Sequence, residues 1–337
     1  MKRKVSMLLV LAMALCLLLA GCNTTAAQPT PPADDGADSY KIGFLVSDPS
    51  QGFWKEVLDS FQKACDENGH ELAYIVVQDS AGMRSAYDSL VAQQCDIIVD
   101  GYAIEEVANS YAEEAVANGV PFMAVSFNCP VEGVYSYGTS NEGLGEFFGV
   151  CAADAVKAEW DGKIDLIVTG NAYTAVPAMA ARTDKAVETL ISTPGYEYLK
   201  DVEWVKLDCG TDFASLGSKT AAMLTSHPDA KNILYVVATD TLMPTIVTAV
   251  QDAGAEERVM MFSCDCTDTF KDFARETAAG GNTFGTWYGS IDLQTSTYGN
   301  KLLDKICSIM AGENPEAYTE HSGVMVTAAN VNEYYPG

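Results

Sequence analysis

The chain has 337 residues, with 20 Lys and Arg against 46 Asp and Glu and a formal net charge of −26. Such acidity excludes a surface of clustered cations for phosphate and therefore nucleic acid as a partner. It leaves a buried small-molecule site open, because net charge bears on solubility and association rather than on fold.

Residues 1–21 read as a targeting segment: Lys2, Arg3 and Lys4 precede an apolar run from Val5 to Ala20. That run is short for a membrane span. It ends in Leu19-Ala20-Gly21-Cys22, which resembles a bacterial lipoprotein cleavage box. Cutting before Cys22 would leave lipid on that cysteine and tether the chain outside the cytoplasmic membrane. Residues 22–39 hold three prolines and no large apolar side chain, and are expected to form a solvated tether. Of the ten cysteines, Cys16 would leave with the leader and Cys22 would carry lipid. The other eight are scattered through apolar and helical runs and read as small buried residues, not as a disulfide framework. Cys264-x-Cys266 is too tight for the usual metal-ligand spacing, and no cofactor is expected.

From Lys41 the pattern alternates strand and helix. Ile42, Phe44, Leu45 and Val46 suit a strand buried on both faces, and Pro49 and Gly52 break it before a helix over 54–68. Further strands are expected near 72–78, 97–100, 122–127, 164–169, 204–207, 233–238 and 259–263. Helices are expected between them, and a last long one over 291–310. Gly69, Gly119 and Gly254 each follow a helix where a left-handed residue is wanted. This alternation predicts an α/β fold with parallel sheets covered by helices on both faces. Breaks near 134–143, 280–289 and before 323 suggest three crossings between two lobes, one of residues 40–141 plus 287–315 and one of 142–286 plus 316–337.

The stretches KIGFLVSDPSQGFW, GVPFMAVSF, TSNEGLGEFFGVCAADAV, LTSHPDAKNILYVVATDTLMPTIVTAVQDAG and VMMFSCD, in this order over roughly residues 40–330, resemble the type I periplasmic binding proteins of the ribose-binding-like sugar group. The resemblance implies two Rossmann-like lobes, three hinge strands and a small polar ligand held between the lobes. It also implies a monomer that hands its ligand to the permease of an ATP-driven (ABC) importer. A sensor presenting its ligand to a membrane receptor or kinase would use the same fold.

A sugar offers apolar C–H faces and a hydroxyl-rich edge, and a buried hydroxyl left unpaired costs about 1–3 kcal/mol. Its site therefore needs aromatic walls and several aimed polar groups. At the expected strand ends the first lobe offers Gln51, Phe53 and Trp54, then Ser126, Phe127 and Asn128. The second offers Arg182, Thr239 and Asp265, with Phe213 as a further wall. Arg182 and Asp265 match family positions that bind ligand, and Trp287 and Tyr288 are expected at the second hinge, where relatives usually carry a glutamine. Each has a plainer alternative. Phe53 and Trp54 would pack on the first helix, Phe127 would be core, and Arg182 would pair with Asp184 or Glu188. Asp265 would cap the next helix, as Asp240 is expected to cap the helix over 241–253. Asp100 and Tyr102 also lie at a strand end. Relatives often carry Asp-Arg where this chain has Ser126-Phe127, and Asn where it has Thr239. The richer aromatic surface suits a less hydroxylated, flatter or larger ligand, such as a nucleoside, a modified sugar or a small signalling polyol. Catalysis is not expected: the three histidines, His70, His227 and His321, adjoin no nucleophile motif, and no phosphate loop appears.

Overall fold

The computed structural model describes residues 39–337 except 48, 50, 51, 103, 104, 282–284, 322 and 337. The leader, the tether, Cys22 and Gln51 thus lie outside the described residues. Among those described, no helix is long and apolar enough to cross a membrane.

The first lobe runs β1 (Lys41–Val46), α1 (Phe53–Asn68), β2 (Glu71–Val76), α2 (Ser80–Ala92), β3 (Ile97–Gly101), α3 (Glu105–Ala117), β4 (Phe122–Val125) and β5 (Tyr135–Gly138). β1 lies between β2 and β3, parallel to both. Ile42, Phe44, Leu45 and Val46 are fully buried, as a central strand covered on both faces requires. α1 stops at Gly69, whose φ of 75° lets its N–H return to the Cys65 carbonyl.

The chain then crosses to the second lobe with α4 (Asn141–Trp160), β6 (Leu166–Asn171), α5 (Ala180–Ser192), β7 (Trp204–Asp208), α6 (Ser215–Ser226), β8 (Ile233–Val237), α7 (Met243–Asp252), β9 (Val259–Cys264), α8 (Asp268–Ala279) and β10 (Trp287–Asp292). It returns through α9 (Thr295–Met310) and β11 (Tyr318–Glu320), and crosses a last time to β12 (Val324–Thr327) and α10 (Val331–Tyr334). The sheets have the orders β11-β5-β4-β3-β1-β2 and β12-β10-β9-β8-β6-β7. Pairing is parallel except between β10 and β12. The eight cysteines from Cys65 to Cys307 are free thiols.

Two crossings fall later than the sequence suggested. Residues 287–292 form a strand of the second sheet and do not start the return, because Ile291 is fully buried between Cys264 and Met325. The last long helix accordingly begins at Thr295 and not at Ile291. Residues 318–320 pair with β5 and so belong to the first sheet. The crossings therefore lie at 139–140, at 293–294 and between the end of β11 at Glu320 and the start of β12 at Val324. α9 docks on α1 through Gly299, where a Cβ would fall 2.1 Å from the Ser60 carbonyl oxygen. No side chain fits there.

Candidate functional site

The carboxyl ends of both sheets face a cavity of about 720 Å³ whose wall includes Phe53, Trp54, Ser126, Phe127, Arg182 and Asp265. Open parallel sheets bind ligands at this end because loops and helix starts converge there. On the first lobe, Phe53 and Trp54 open α1 with their rings edge to face, centroids 4.9 Å apart, and Phe53 also meets Tyr298 edge-on at 5.5 Å. Trp54 lies over Gly101, where a Cβ would come within 2.8 Å of its ring and 2.6 Å of Phe44. The two aromatics thus both line the cavity and pack on the α1 core. Phe127 likewise joins core and wall, at 3% exposure. Ser126 reaches the wall with a left-handed φ of 68°.

On the second lobe the Arg182 side chain is held from behind. Its Nε donates to Asn141 Oδ1 at 2.7 Å and its Nη1 to the Ala238 carbonyl at 3.3 Å. The surface pairings open to it in the sequence are taken by others: Asp184 pairs with Lys206 and Glu188 with Lys185. Asp265 accepts a hydrogen bond from the Thr239 hydroxyl. Burial pushes its carboxyl pKa up, while the Arg182 charge and the Thr239 hydroxyl pull against that rise. Thr267, not Asp265, is the N-cap residue of α8. Thr239 is absent from the cavity wall and reaches it through Asp265.

Asp240 has a different part from the one expected. Thr239 caps the turn that follows β8. Asp240 is buried, and its Oδ1 accepts the Ser263 and Ser290 hydroxyls at 2.5 and 2.8 Å. Its Oδ2 accepts the Thr267 N–H at 2.7 Å and the Thr267 hydroxyl at 3.0 Å. Ser263 is itself fed by the Trp287 indole N–H at 2.6 Å, and Ser290 by the Cys266 N–H at 2.9 Å. This network ties the ends of β8, β9 and β10 together beneath Asp265.

Other expected residues are not brought to the cavity wall. Trp287 starts β10, at the amino end of a parallel strand, and is buried against Phe270 and Phe273. Tyr288 packs on Phe262. The position where β10 leaves for the hinge is Asp292, which accepts the Gln294 N–H at 2.7 Å and the Tyr335 hydroxyl. Asn128 is exposed and Phe213 is 43% exposed after β7, both off the wall. Asp100 is buried and accepts the Tyr102 N–H at 2.8 Å; neither residue reaches the wall. The structure adds Asn141, Met179, Leu293 and Tyr298 to it. Tyr298 escaped notice because it sits on the apolar face of a helix and reads as core. Met179 is three residues before Arg182 and was within reach of the same argument.

A sequence model of the periplasmic binding protein domain matches residues 42–314. The chain belongs to that family. Its members are binding proteins, not enzymes, in agreement with the resemblance read from the sequence. No curated protein matches. Among solved structures, the chain is similar to a periplasmic ribose ABC transporter protein from Conexibacter woesei DSM 14684, with 15% identity and a TM-score of 0.72 over 89% of this chain and 96% of that one. It is similar to an ABC transporter solute-binding protein from Actinobacillus succinogenes 130z with bound D-allose, with 14% identity and a TM-score of 0.69 over 88% and 100%. A third is the 5-methylthioribose transporter solute-binding protein from Thermotoga lettingae TMO, with 15% identity and a TM-score of 0.64 over 87% of each chain. At such identities the likeness speaks for the fold alone.

Proposed function

We propose that this binding protein is the extracytoplasmic solute receptor of an ABC importer, tethered by lipid on Cys22, and that it captures a sugar or sugar-like polar ligand between its lobes. The observation that carries this reading is the composition of the cavity: an aromatic wall of Phe53, Trp54 and Phe127 on one lobe, and Arg182 with Asp265 on the other. Rings of this kind suit C–H faces, while a guanidinium and a carboxylate donate to and accept from hydroxyls. The structural likeness to proteins that hold allose and methylthioribose supports the same ligand class. Capture would favour closed lobes by its greater affinity for that state.

The test is a thermal-shift panel of D-ribose, D-allose, 5-methylthioribose, purine nucleosides and amino acids. A ligand at about 100 times its Kd adds about 2.7 kcal/mol of stability and raises the melting temperature visibly. Arg182→Met is expected to abolish the shift given by the best compound. Stabilisation by amino acids alone would overturn the sugar-like assignment.

A further inference from the structure

His321 lies at the third crossing, between β11 and β12, and is 7% exposed. Its backbone N–H donates to the carbonyl of Gly138, the last residue of β5, at 3.0 Å, and its own carbonyl accepts the hydroxyl of Thr139, in the first crossing, at 2.9 Å. Its ring Nε2 lies 2.7 Å from the Leu293 carbonyl of the second crossing. A carbonyl only accepts, so Nε2 carries the proton. Nδ1 is then a bare lone pair, and it accepts the Tyr137 hydroxyl at 2.5 Å. The ring also packs 4.4 Å from that of Tyr298, which walls the ligand cavity and whose hydroxyl accepts the Thr139 N–H at 3.1 Å. One residue is bonded to both other crossings and touches the cavity wall.

We propose that His321 is the positioning residue of the hinge: its neutral ring ties the three crossings to β5 through Tyr137, and protonation at Nδ1 breaks that tie while the bonds to Thr139 and Leu293 remain, which shifts the balance between open and closed lobes. The mechanism is a clash of donors. A proton on Nδ1 points at the Tyr137 oxygen, and the Tyr137 proton must turn away. Among the described residues that hydroxyl has no other hydrogen-bond partner to turn to. The groups around the ring are Tyr137 on β5, Asp292 at the end of β10, Tyr298 and Lys301 on α9, and Tyr318 and Glu320 on β11. From α4 come the uncharged Gly143, Leu144 and Phe147. Tyr318 donates to Glu320, which also accepts the Ser140 N–H at 3.2 Å and so is engaged elsewhere. Burial holds the imidazole pKa below its ordinary 6.5 and Lys301 adds to this, while the Leu293 carbonyl and Asp292 oppose it. The switch thus belongs to mildly acidic conditions.

Small-angle scattering of the ligand-free protein tests the hinge without any ligand, so its outcome is separate from the ligand panel. Between about pH 8 and about pH 5 the radius of gyration of the folded wild type is expected to change with a midpoint below the ordinary histidine value. In His321→Gln, whose amide keeps a donor but takes up no proton, the profile should be flat. Tyr137→Phe removes the hydrogen bond that protonation must break, and should raise the midpoint by about one pH unit. If His321→Gln does not fold, as judged by circular dichroism, the Tyr137→Phe midpoint decides. A flat wild-type profile, a transition that survives in folded His321→Gln, or an unmoved midpoint in Tyr137→Phe would overturn the proposal.

Discussion

Replacing Asp240 by Asn asks how much free energy a buried carboxylate withholds from this fold. Burial, with the nearby Asp265 charge, pushes the Asp240 pKa from its ordinary 3.8 up to about 7, against the opposing bonds from Ser263, Thr267 and Ser290. A folded-state pKa above the unfolded one means that the native protein binds more protons across that interval. Stability is then fully present below the unfolded value and is lost as pH rises through the folded one. The displacement corresponds to about 4 kcal/mol, lost between about pH 4 and about pH 8. Asn carries no charge and has no such slope. It does have a constant cost of about 1–3 kcal/mol. Donors face both carboxylate oxygens, the Ser263 and Ser290 hydroxyls at Oδ1 and the Thr267 N–H at Oδ2, and the amide NH2 that replaces one oxygen cannot accept from them. The expected result is that Asp240→Asn is less stable than wild type near pH 4 and gains on it steadily up to pH 8. Urea unfolding at several pH values, with m compared between the two proteins, reads this directly. A stability difference that does not vary with pH would refute the reasoning and show a carboxylate that the four hydrogen bonds fully repay.

Two further substitutions probe the scaffold around the cleft. Gly299→Ala sets a methyl group against the Ser60 backbone, 2.1 Å from its carbonyl oxygen and 2.2 Å from its carbonyl carbon. It should cost about 3 kcal/mol, the upper end for overpacking, seen as a lower urea midpoint with m unchanged. Gly101→Ala pushes on both Phe44 and Trp54, and should lower stability by about 1–3 kcal/mol. Because Trp54 is also wall, the same substitution should alter tryptophan fluorescence and weaken the best ligand of the thermal-shift panel. Unchanged fluorescence would mean that Trp54 does not rest on Gly101.

The sequence by itself determined the alternation of strands and helices, because each signal there is local. Buried strands such as Ile42–Val46 are continuous apolar runs, and Gly69 and Gly119 mark helix ends by the backbone angles they alone adopt freely. It also brought forward Phe53, Trp54, Ser126 and Phe127 near strand ends, and the family resemblance added Arg182 and Asp265; all six line one cavity. What the tertiary structure alone decided was where the chain changes lobe and which polar groups face ligand and which face protein. Ile291 is as apolar as a helix residue, and only its pairing with Met325 and Cys264 makes it a strand. Trp287 and Tyr288 lie five and four residues too early to reach the hinge at Asp292, a matter of strand register that composition does not encode. Thr239, Asp240 and Asp265 are near in sequence terms to helix starts, and each could have been a cap. Their division into cap, network centre and cavity wall depends on partners more than 20 residues away. His321, unremarkable in the sequence, gains its position at the crossings from Gly138, Thr139 and Leu293, contacts that exist only once both lobes have formed.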